Sequence, residues 1–98
     1  MGKYLLLWES DNARASVDPK ERGGGLQLLT AMVKQDIQKG ILKDWGAFVG
    51  EINGYAVAEG TEVEIGNMMQ QYVPFITFKT RAVASVSQVD ETIKALLG

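Results

Sequence analysis

Tyr4, Glu59 and Lys79 are the side chains of this 98-residue chain best suited to passing protons: a phenol, a carboxylate and an amine, each in a segment of strand-like composition. The chain contains neither histidine nor cysteine. It therefore lacks the commonest neutral-pH base and the commonest zinc ligand, and with no thiol it has no disulfide, thiolate metal site or cysteine nucleophile. No metal and no resident cofactor are expected. Glu59 would serve as a base only where burial raised its pKa toward neutrality, and a nearby Lys79 opposes that shift. A second set, Leu6, Trp8, Trp45, Tyr55, Val57 and Thr77, has the composition of a small-molecule pocket: apolar and aromatic walls with few polar groups. Both sets also have plainer readings. Alternating aromatics on a central strand make a core or an interface, and Glu59 with Lys79 make a cross-strand charge network.

Other segments weigh less. Gly23, Gly24 and Gly25 suggest a phosphate loop, but no strand precedes them closely and no Lys-Ser or Lys-Thr follows. They read instead as glycines that loosen a helix or admit another backbone. Met68 and Met69 fit a helix core. The polar connection from Glu9 to Val17, with Asp11, Asn12 and Arg14, is either a cover for the pocket or a surface loop.

Apolar residues make up 46% and charged residues 22%, within the globular range, so the expectation is one folded domain over 1–98. The net charge is −2, with no block of Lys or Arg, which argues against nucleic acid as a partner. The apolar run Tyr4–Trp8 is too short to span a bilayer or to form a signal-peptide core, so no membrane association and a cytoplasmic location are expected.

Tyr4–Trp8 reads as a buried strand. Asp18-Pro19-Lys20-Glu21 has the order of a helix start, and Leu26, Leu29, Met32, Val33 and Ile37 recur at helical spacing until Lys39-Gly40 stops the helix. Asp44–Gly50 and Tyr55–Glu59 read as a hairpin joined through Gly50–Gly54. Thr61-Glu62-Val63-Glu64 is a capping box opening a helix with Ile65, Met68, Met69 and Tyr72, which ends before Pro74. Phe75–Val83 is a last strand, and Ser87 caps a final helix with Val89, Ile93, Leu96 and Leu97 along one side.

The order β-α-β-β-α-β plus a C-terminal helix predicts an α+β, ferredoxin-like antiparallel sheet with strands ordered 4-1-3-2. Strict alternation then sorts the two faces. Leu5, Leu7, Phe48, Ala56, Ala58, Ile76 and Phe78 are expected beneath the helices. Tyr4, Leu6, Trp8, Trp45, Ala47, Val49, Tyr55, Val57, Glu59, Phe75, Thr77 and Lys79 are expected on the opposite face. That register sets Trp8 near Tyr55 and Phe75, and Tyr4 between Glu59 and Lys79. An apolar face with no helix over it calls for a partner, hence a homodimer through the open face.

In this topology, and in Gly40-Ile41-Leu42-Lys43-Asp44-Trp45-Gly46, Gly54-Tyr55 and Tyr72-Val73-Pro74, the chain resembles the dimeric α+β barrel superfamily. That group includes antibiotic-biosynthesis-monooxygenase-like, muconolactone-isomerase-like and YCII-like proteins. The resemblance implies architecture, two sheets packed face to face with a pocket inside, and no catalytic motif of those families is matched. The functional expectation is a small homodimeric protein binding an apolar or aromatic metabolite on the sheet face. The alternatives are a cofactor-independent isomerase or monooxygenase-type enzyme, or a structural interaction domain without a ligand.

Overall fold

Turn and cap chemistry set the element boundaries in the computed structural model, which describes residues 2–11 and 17–98. Strand β1 is Gly2–Ser10 and helix α1 is Pro19–Lys39. Asp18 caps α1 by accepting from the Lys20 amide at 3.2 Å, Pro19 occupies the first turn, and Gly40 at φ 83° closes the helix in the left-handed region. Strand β2 is Leu42–Ala47 and β3 is Asn53–Gly60. The expected strand over Asp44–Gly50 is thus displaced toward the N-terminus. The cause is a tight turn: the Glu51 amide donates to the Phe48 carbonyl at 3.0 Å, with Gly50 at φ 79°, a conformation that favours glycine.

Helix α2 is Glu62–Gln70, opened by the reciprocal Thr61–Glu64 capping box. Strand β4 is Ile76–Val83 and helix α3 is Val86–Leu97. The cap of α3 is Ser85, not Ser87, because Ser85 accepts from the Gln88 amide and the Gln88 side chain accepts from the Ser85 amide. The Val73–Pro74 peptide is cis. Asn12 and Arg14 lie outside the described residues.

The sheet order is β2-β3-β1-β4 with every neighbouring pair antiparallel, the expected order read from the other edge. This is an α+β fold compatible with a ferredoxin-like arrangement. α1 and α2 cover one face, and the core between them and the sheet holds Leu6, Trp8, Val33, Leu42, Ala56, Ala58, Ile65, Met68, Tyr72 and Ile76. None of the residues of α3 is buried. Among the described residues no helix is long and apolar enough to cross a membrane.

Sorting of the faces is correct for β3 and β4 and reversed for β1, for Trp45 and Ala47 of β2 and for Phe48 just beyond it. Leu6 pairs with Ala56, Tyr4 with Ala58 and Trp8 with Gly54, so Tyr4, Leu6 and Trp8 lie under the helices. Trp45, opposite Ala56, joins them, with Ala47 opposite Gly54. Leu5 and Leu7 lie on the open face, and Phe48 stacks there on Tyr55 at 6.4 Å. Gly54 is the physical reason. A Cβ there would stand 2.7 Å from the Trp8 ring and against the Gly46 carbonyl, so the indole takes the space that a side chain on β3 would need. Trp8 then stacks on Trp45 at 5.3 Å and 6°, and its Nε1 donates to the Gly46 and Tyr55 carbonyls, both at 3.2 Å. With its N–H satisfied and only 6% of its surface exposed, Trp8 is a core residue.

Candidate functional site

The register divides the expected pocket. Leu6, Trp8 and Trp45 face the helices, whereas Tyr55, Val57 and Thr77 face away from them. The space beside the two Trp rings is a cavity of about 20 Å³ lined by Leu6, Trp8, Leu42, Trp45, Tyr72 and neighbours, room for about one water and not for a metabolite. The proton-handling set is dispersed as well. Tyr4 packs on the core side. Glu59 lies across from Lys3 and approaches Lys43 at 3.8 Å, and Lys79 lies across from Leu7 on the far edge strand. These three side chains do not meet. Among the described residues no cluster of three potential metal ligands occurs.

What the open face does assemble can be read row by row across β4, β1, β3 and β2. One row is Arg81, Leu5, Val57 and Asp44, and the next is Lys79, Leu7, Tyr55 and Gly46. Flanking them are Val83, Lys3 and Glu59 on one side and Thr77, Glu9 and Asn53 on the other. The centre is therefore apolar: Leu5, Leu7, Val57 and Tyr55 are all half-buried although no helix of the chain lies over them. Gly46 lets Tyr55 lie flat, since a Cβ there would come within 2.6 Å of its ring.

Tyr55 carries the polar handle of this face. Its hydroxyl donates to Asp44 Oδ2 at 2.8 Å, while Asp44 Oδ1 accepts from the Trp45 amide at 2.9 Å. The hydrogen bond to Asp44 is the main cause that raises the Tyr55 pKa, with desolvation and the Asp44 charge adding to it. The phenol is consequently neutral at physiological pH, suited to donating or sharing a hydrogen bond and unsuited to acting as a phenolate nucleophile.

A second Tyr–Asp pair lies on the other side of the sheet. Tyr72 donates to Asp36 Oδ2 at 2.6 Å, and Asp36 is only 2% exposed. Burial first, and then the bond to Asp36, drive the Tyr72 pKa far above its ordinary value. Asp36 follows Leu29, Met32 and Val33 at helical spacing, so a carboxylate on the apolar stripe of α1 was the sequence signal for a buried partner. Asp44 and Tyr55 had no such signal, because their meeting depends on the β2–β3 register.

No protein-family model matches the chain, and the search of curated proteins returns no match.

Proposed function

We propose that the chain is a self-associating binding domain, in which a second copy closes the open sheet face and a small apolar or aromatic molecule is held between the two faces. The observation that carries this reading is the apolar centre formed by Leu5, Leu7, Val57 and Tyr55, left without cover by the helices of its own chain. Tyr55 and Phe48 supply a stacking surface at one end of it, and the Tyr55–Asp44 pair supplies one fixed polar group. The site is thus Tyr55, Phe48, Val57, Leu5 and Leu7, with Thr77 at its margin. The dimeric α+β barrel architecture implied by the sequence resemblance accords with this assembly.

Two measurements test it. Sedimentation at micromolar concentration is expected to give twice the 10.7 kDa chain mass, and a mass of one chain would refute the association. Thermal-shift screening with phenols, naphthols and short fatty acids is expected to find a stabilising ligand whose effect falls in the Tyr55→Phe variant. A flat response across all three classes would leave an interaction domain without a ligand. Trp fluorescence is a poor probe here, since Trp8 is core and Trp45 stacks against it.

A further inference from the structure

Two copies that meet through their open faces must be related by a dyad lying in the plane between the sheets, and aligned packing keeps the two sets of strands within about 30° of each other. The axis then runs either nearly along the strands or nearly across them. These choices make opposite demands on charge. An axis across the strands lays β4 on β4, and an axis along the strands lays β4 of one copy on β2 of the other while keeping every row on itself.

The open face is polarised from edge to edge in net charge, with Glu9 on β1 and Lys43 beside Glu59 as the exceptions. β4 presents Lys79 and Arg81, with Lys3 beside them on β1. Among the described residues none of these three cations has a carboxylate partner within its own chain. At the other edge Asp44 has only neutral hydrogen-bond donors, the Tyr55 hydroxyl and the Trp45 amide, while Glu59 has Lys43 only at 3.8 Å. Resting on the self-association proposed above, we infer that the dyad runs along the strands, so that Arg81 of each copy faces Asp44 of the other.

The row Arg81, Leu5, Val57, Asp44 is self-complementary under this operation. Leu5 meets Val57 of the partner subunit, Arg81 meets the partner's Asp44, and in the next row Lys3 meets the partner's Glu59. Sheets pack about 10 Å apart, a gap that an extended Arg and an Asp bridge with the two-pronged geometry preferred by guanidinium and carboxylate. The alternative axis stacks Lys79 and Arg81 on their own copies, and like charges so placed are repulsive.

Helix α3 distinguishes the two axes. Val86, Val89, Ile93, Leu96 and Leu97 form one apolar stripe, with exposures of 81, 45, 45, 81 and 84%. A 12-residue helix is marginal in water without tertiary packing. It follows directly on β4. A dyad along the strands sends both α3 helices out at the same end of the pair, from its two opposite edges. A dyad across the strands sends them to opposite ends.

Charge reversal tests the axis directly. Arg81→Glu and Asp44→Arg alter exposed side chains, and circular dichroism checks that both variants fold. Each alone is expected to weaken dimerisation at least about tenfold by sedimentation, because each creates two like-charge pairs. The double variant R81E/D44R, and an equimolar mixture of the two single variants, are expected to regain the wild-type dimer. The Tyr55–Asp44 hydrogen bond is absent from the double variant, so its recovery would report the charge pair alone. As a second readout, the chain has no cysteine, so a nitroxide at Glu91→Cys labels α3 uniquely. Dipolar coupling between the two labels is expected, and its absence would overturn the axis. A dimeric wild type whose single variants dimerise normally, or whose double variant stays dissociated, would overturn the axis and leave the dimer standing. A monomeric wild type would overturn both.

Discussion

Each face of the sheet holds one tyrosine hydrogen-bonded to one aspartate, and the two pairs differ in almost everything except that bond. Tyr72–Asp36 is sealed between α1, α2 and the sheet at 2.6 Å, with the Tyr72 ring set edge-on to Phe78. Tyr55–Asp44 is exposed at 2.8 Å, beside an apolar patch that nothing in the chain covers. The buried pair satisfies polar groups that would otherwise be costly within the core. The exposed pair fixes a polar group where a partner can reach it. The same bond is sealed within the core on one side and left open to water on the other, where the proposed function would use it for recognition.

Matched substitutions on the two sides sharpen that contrast. The largest effect is expected from Trp8→Ala, which empties the covered face and should cost about 3–5 kcal/mol in chemical denaturation. Leu7→Ala, its neighbour on the open face, should cost on the order of 1 kcal/mol in the isolated chain and act mainly on self-association. Equal losses would mean that the faces are not distinct. Next come the tyrosines. Tyr72→Phe leaves the Asp36 carboxylate buried without its donor and should lower stability by about 1–3 kcal/mol, whereas Tyr55→Phe should leave the melting temperature nearly unchanged.

Two glycines make a pair of opposite sign. Gly54→Ala drives a methyl into the Trp8 ring and should destabilise the fold by about 1–3 kcal/mol. Gly24→Ala on α1 meets nothing within 4 Å and should raise stability by up to about 1 kcal/mol. The smallest effect concerns acid. Hydrogen bonds from the Thr61 backbone and then its side chain lower the Glu64 pKa. A carboxylate lowered by folding contributes stability above its unfolded pKa, and that stability is lost as pH falls through the folded value. Glu64→Gln should therefore reduce stability at neutral pH and flatten its decline in acid, as followed by thermal melting across pH 2–6.

Local chemistry was legible in the sequence wherever a few adjacent residues settle the outcome. Asp18-Pro19 and Gly40 fixed both ends of α1, and Thr61 with Glu64 opened α2 as expected. Strand order followed from element order. The candidate site was legible only in part, since all six pocket residues were expected on the open face and only Tyr55, Val57 and Thr77 lie there, while Leu6, Trp8 and Trp45 face the helices. Lys3 and Glu9 mark the outward side of β1 at its two ends, but the run Tyr4–Trp8 between them is apolar on both faces, so the alternation signal rested on those two end residues alone.

By itself the sequence determined the order of the elements, the caps of α1 and α2, the sheet order and the absence of histidine and cysteine chemistry, because those are properties of neighbouring residues or of composition. Tertiary structure decided which way β1 faces, which aspartate each tyrosine finds and which charges share a row. Those outcomes depend on pairings 38 and 47 residues apart, such as Trp8 to the Gly46 and Tyr55 carbonyls. A one-residue slip turns the whole strand over and would carry Lys3 and Glu9 beneath the helices, and the space above Gly54, filled by the Trp8 indole, holds the observed register.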